Sequence, residues 1–117
     1  MEKETLAFVK EKARELIQSP TCCAEGKAVA AEWLDAVGTE HEAAKTERLA
    51  EELKADIMPI EQLIGFAGSE AGMQYFGADT AKNIVAHAEE IKAAGARYCD
   101  CPACAAAEAI LKKLGML

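Results

Sequence analysis

Apolar residues recur at helical spacing along almost the whole chain. Leu6, Val9, Ala13, Leu16 and Ile17 stand three and four apart and form one stripe, so the spacing predicts a first helix from about Thr5 to Gln18. Ser19-Pro20-Thr21 ends it, because the residue before a proline is pushed out of helical geometry, and Thr21 is placed to cap the next helix. That second helix begins near Cys22 and carries Ala30, Trp33, Leu34 and Val37, with Gly38 suited to the left-handed residue that closes a helix. Thr39 is then expected to cap a third helix over about Glu40 to Ile57. It presents Ala43, Ala50, Leu53 and Ile57 on one side, and Glu47, Glu51, Glu52 and Lys54 read as a solvated face.

Pro59 permits a new start, and Ile60, Leu63, Ile64 and Ala67 predict a short fourth helix ending around Gly68. Ser69 and Glu70 can open another turn, and Gly72-Met73-Gln74-Tyr75-Phe76-Gly77 reads as a short helix tucked under a bend. Asp79 or Thr80 caps a fifth main helix with Ala81, Ile84, Val85, Ala88 and Ile91, closing at Gly95. Ala96 to Asp100 is a connector, and Pro102 fits the first turn of a last helix with Ala106, Ile110, Leu111 and Leu114 inward. The expectation is an all-α fold, a compact single-domain bundle of five main helices plus a short one, with residues 1–117 as one helical domain. Trp33, Phe66, Tyr75 and Phe76 are expected as its core anchors.

Composition agrees with helices packed closely on small side chains. Of the 51% hydrophobic residues much is alanine, and only six residues are aromatic. Twenty acidic against thirteen basic residues give a net charge of -7, which repels nucleic acid and anionic membranes, and no basic patch offsets it. No apolar run approaches the roughly 18 to 20 residues of a membrane helix. Met1 to Ile17 lacks the apolar core of a secretory signal, so a cytoplasmic location is expected. A protein partner or a second copy of the chain can meet the alanine-rich faces.

The chemistry concentrates in cysteine. Three of five cysteines fall within Cys99-Asp100-Cys101-Pro102-Ala103-Cys104, and the other two are adjacent at Cys22-Cys23. An odd count excludes complete internal disulfide pairing. Both groups lie at predicted helix starts, where unpaired amides and the helix dipole favour thiolate, so these thiols are expected to be more acidic than free cysteine. Cys101 and Cys104 are one turn apart and can face one point, with Cys99 approaching from the connector. A closed tetrahedral zinc site needs one more ligand, and Cys22, Cys23 or His87 can supply it. A cubane iron-sulfur cluster also takes four cysteines. Cys101-Pro102-Ala103-Cys104 further resembles a dithiol exchange pair, although such pairs sit on a βαβ framework that this pattern lacks.

Blander readings stand beside these. Cys22 and Cys23 read first as small side chains filling a helical interface, His87 as a partly buried neighbour of Ile84 and Ile91, and His41 as solvated among glutamates. No acid, base or nucleophile is spaced to suggest catalysis, and Gly65-Phe66-Ala67-Gly68 lacks the lysine and strand of a phosphate loop.

From Arg97 through Cys99-Asp100-Cys101-Pro102-Ala103-Cys104 to Leu111, and again at Trp33-Leu34-Asp35-Ala36-Val37-Gly38, the chain resembles a family of small bacterial proteins. The resemblance extends over nearly the whole chain, and some members carry a label relating them to the large ATP-dependent dimeric heat-shock chaperone. It implies a stress-associated setting and carries over no ATP-binding residue. Taken together, the sequence points to a zinc-binding structural or interaction module on Cys99, Cys101 and Cys104. A thiol-based redox protein using Cys101 and Cys104 and a plain helical dimerisation domain are the alternatives.

Overall fold

The alternation of helix-forming stripes and breakers resolves, in the computed structural model of residues 1–117, into seven helices. They are α1 Lys3–Gln18, α2 Ala24–Ala36, α3 Glu42–Asp56, α4 Ile60–Ala67, α5 Glu70–Phe76, α6 Ala78–Ala93 and α7 Pro102–Lys113. The chain is all-helical as expected, with one short helix more than the pattern predicted. The short helix expected at 72–77 starts earlier, at Glu70, because the Ser69 hydroxyl accepts from the Gly72 amide at 3.1 Å and caps α5. Gly38 and Gly95 take the positive φ expected of helix-closing glycines, at 82° and 105°.

Packing divides the chain into two compact units, Met1–Ile57 with Asp100–Leu117, and Met58–Cys99. In the first unit α1 packs on α2, α2 on α3, α3 on α7 and α7 on α1, which closes a ring of four helices. The large side chains filling it are Val9, Leu16, Trp33, Leu49, Leu53, Ile110 and Leu111, all but sealed from solvent. Ala13, Ala30, Ala50, Ala103, Ala106 and Ala107 are buried with them and let the helix backbones approach. Trp33 is wholly buried, and its indole N–H donates to Thr46 Oγ1 at 2.9 Å, so the one polar atom of the ring is satisfied.

In the second unit α4, α5 and α6 pack against one another in pairs. Residues 97–99 run antiparallel beside 58–60: Pro59 and Tyr98 form an isolated bridge, Ile60 N donates to Arg97 O at 2.8 Å and Cys99 N to Met58 O at 2.9 Å. Pro59 has no N–H to give, so its neighbours carry these bonds. Phe66 and Tyr75 are not core anchors, being 39% and 77% exposed. The reason is the tight α4–α5 corner. Gly72 lies directly on the Phe66 carbonyl and the Ala67 backbone, leaving no room for rings between the helices. Phe66, Tyr75 and Phe76 instead stack edge-to-face on one another, with centroids 4.9 to 6.1 Å apart.

Two glycine replacements in this unit should act with opposite sign. A Cβ at Gly72 collides with the Phe66 carbonyl, which is backbone and cannot move aside, whereas a Cβ at Gly65 meets nothing within 4 Å. Gly72→Ala is therefore expected to destabilise by about 1–3 kcal/mol, and Gly65→Ala to stabilise by about 0.5–1 kcal/mol through helix propensity. Denaturant titration followed by circular dichroism checks both.

Candidate metal centre

The start of α7 fixes the first group of thiols. Cys101 is the N-cap residue, Pro102 occupies the first turn, and the Cys101 sulfur accepts from the Cys104 amide at 3.4 Å. Proline suits this position because its missing N–H would have no helical partner there. Cys99 is held from the other side by the Met58 carbonyl and the Pro59–Tyr98 bridge. As a result the sulfurs of Cys99, Cys101 and Cys104, on one contiguous run of six residues, all lie within 4.8 Å of one another, each half-buried. The structure thus brings the predicted triplet together.

Cys22 and Cys23 do not pack as core side chains. Helix α2 starts at Ala24, so both precede it: Cys22 is half-buried and Cys23 exposed. Cys23, not Thr21, caps α2, its sulfur accepting from the Gly26 amide at 3.4 Å. Thr21 serves α7 instead, since its hydroxyl accepts from the Ala103 amide at 3.2 Å while contacting the buried Ser19 hydroxyl at 3.0 Å. Within the four-helix unit, Cys22, Cys23 and Cys104 line a cavity of about 240 Å³ whose other walls include Leu16, Leu53, Ile57 and Ala107. His87, expected to be partly buried, is exposed on α6 and belongs to neither group of clustered donor atoms.

A second group is not legible in the sequence. The donor atoms of Cys23, Glu52 and Asp56 also lie within 4.8 Å of one another. Cys23 Sγ donates to Asp56 Oδ2 at 3.4 Å across 33 residues of chain. Glu52, expected on a solvated face, has a side chain only 13% exposed, paired with Arg48 at 3.2 Å. The i, i+4 spacing of Glu52 and Asp56 signals a shared helix face, but only the fold shows that Cys23 meets it.

Electrostatics here reverse one expectation. The thiols of Cys22 and Cys23 are less acidic than free cysteine, not more. For Cys22, burial is the main cause, followed by repulsion from Cys23 and Asp56. For Cys23 the Gly26 amide is the largest influence and lowers the value, but burial and the Asp56 carboxylate together outweigh it. Asp56 is exposed as a residue, yet loss of hydration at its carboxyl, then the Glu52 hydrogen bond and repulsion from Glu52 and Glu25, raise it to about 6. The hydrogen bond from Cys23 acts the other way.

None of the protein-family models, curated proteins or solved structures compared with the chain matches it. What the centre can do is therefore read from its own donor atoms: three sulfurs held together at a helix start, able to bind one metal ion.

Asp56 gives a prediction of definite sign. Its folded value lies above the ordinary 3.8, so the folded protein holds this proton more tightly and loses stability as pH rises from about 4 to about 6. In metal-free protein, Asp56→Asn should melt higher than the parent at pH 7.5, with the difference gone at pH 4. Thermal melts with chelator at the two pH values check it.

Proposed function

We propose that the chain is a structural metal-binding module that holds one zinc ion on the thiolates of Cys99, Cys101 and Cys104. The observation that supports this is the mutual distance of the three sulfurs, within 4.8 Å. Sulfurs on a tetrahedral zinc stand roughly 3.8 Å apart, from Zn–S bonds of about 2.3 Å, so small side-chain rotations close the site. A cubane spreads its cysteines over separate irons, which fits a set this close less well. The ion would neutralise thiolates crowded at one helix start and link the connector to α7. Such a site contributes folding free energy and has no need of an open position for substrate. A stress-associated interaction module is the setting we propose for it, with a protein partner or a second copy of the chain as its contact.

Protein purified under reducing conditions is expected to carry about one zinc per chain and no visible absorption, and Cys101→Ser with Cys104→Ser to carry none. A metal present at a thousandfold over its Kd stabilises by about 4 kcal/mol, so chelation should lower Tm by about 10 °C or more. Protein free of zinc and iron, with a Tm indifferent to chelator, would overturn the reading. A second reading is favoured by the Cys101 sulfur at the α7 N-terminus, which is poised for thiol sensing with Cys104 as resolving thiol. In that case metal analysis is blank, and mild hydrogen peroxide lowers the titratable thiols from five to three as one disulfide forms and peroxide is reduced to water.

A further inference from the structure

Three thiolates leave a tetrahedral zinc one ligand short, so the identity of the fourth rests on the zinc reading. The candidates differ in what already holds them. Cys23 is engaged twice, accepting from the Gly26 amide and donating to Asp56. Taking it as a ligand would ionise the thiol, leaving the Asp56 carboxylate without that donor and setting a thiolate against it. His87 stands exposed on α6, outside both donor groups.

Cys22 lines the same cavity as Cys23 but differs in burial and in what holds its sulfur. It is half-buried, its thiol makes no hydrogen bond, and it faces the same cavity as Cys104. The residue before it, Thr21, is tied to the first turn of α7 by the Ala103 amide at 3.2 Å, so the backbone carrying Cys22 is fixed beside the backbone carrying Cys101 and Cys104. The Cys22 thiol also senses the charge of Cys101, which places the two within electrostatic range. Its sulfur now rests over Gly26, where an added Cβ would come within 3.0 Å of it. Moving from one staggered rotamer to another shifts a cysteine sulfur by about 3 Å, enough to turn it from Gly26 into the cavity.

We infer that Cys22 is the fourth thiolate, so that one metal ion spans the cavity and joins the turn after α1 to the first turn of α7. The donor set is then four sulfurs, which selects soft or borderline ions with no geometric preference of their own, zinc and cadmium foremost. The apolar walls at Leu16, Leu53, Ile57 and Ala107 back the Cys22 and Cys104 side of the site.

Cobalt(II) added anaerobically to the reduced, metal-free full chain tests this, because sulfur-to-cobalt charge transfer grows with the number of thiolates and the ligand-field bands shift with the donor set. The parent is expected to show a four-thiolate spectrum. Cys22→Ser should lose about a quarter of the charge-transfer intensity, one donor of four, and bind cobalt about tenfold more weakly or worse, while Cys23→Ser leaves the spectrum unchanged. Because the Cys22 sulfur has no hydrogen bond to lose, metal-free Cys22→Ser should match the metal-free parent in circular dichroism and Tm. A Cys22→Ser spectrum identical to the parent's, or a loss seen in Cys23→Ser or His87→Ala instead, overturns the assignment while leaving the zinc reading intact. A parent that develops no charge-transfer band overturns both.

Discussion

Helix α7 begins with amide groups that no carbonyl of the helix itself can reach, and the side chains that answer them are the ones that build the centre. Pro102 has no amide to satisfy. The Ala103 amide goes to the Thr21 hydroxyl and the Cys104 amide to the Cys101 sulfur, after which Ala105 N reaches the Cys101 carbonyl at 2.8 Å and the regular ladder begins. Had serine or aspartate served as the cap, the backbone would be equally content. With cysteine, the same bond places a sulfur acceptor at the positive end of a helix, one turn from a second thiol. The local folding requirement and the candidate chemistry are met by the same atoms.

That helix start can stand where it does because α7 is smooth. Ala103, Ala106 and Ala107 face inward, so α7 closes on α1 and α3 with little between the backbones, while Ile110 and Leu111 fill the core further along. Each fully buried side chain of leucine size contributes about 1.5–3 kcal/mol relative to exposure, and the four-helix unit holds most of them. The Met58–Cys99 unit has a thinner interior. Ile60 is its single large side chain that is fully buried, joined by the buried Ala67, Gly72, Ala81 and Ala88 and the half-buried Leu63, Ile64, Ile84, Val85 and Ile91. Phe66, Tyr75 and Phe76 are spent on one another, with Phe66 and Tyr75 at the surface.

The helices are legible because each carries its own periodic stripe and punctuation: Pro20, Gly38, Pro59, Gly95 and Pro102 fall where helices end or begin. The triplet is legible for the same reason, since three thiols in six residues at a proline-marked helix start are a local pattern. What stays hidden depends on contacts distant in sequence. By position alone Thr21 caps α2, and only the packing of α1 on α7 shows that its hydroxyl serves Ala103, 82 residues away. The acidity expected of Cys22 and Cys23 follows from the helix dipole alone, whereas burial, aided by the Asp56 carboxylate that α3 brings in, reverses it. Ring size and apolarity argue for Phe66 and Tyr75 inside, and the crowded corner at Gly72 keeps them out.

The pairing of residues 58–60 with 97–99 has a consequence for how this chain can change over evolution. It brings the first and last residues of α4 to α6 and their connectors side by side, so the whole stretch leaves and rejoins the chain at a single doorway. Loop-closure entropy grows only logarithmically, by about 0.6 kcal/mol for each doubling of length. What lies beyond that doorway is therefore free to lengthen, shrink or be exchanged at small thermodynamic cost, provided the two chain ends stay paired. The stretch is a cassette, and Cys99 is its last residue.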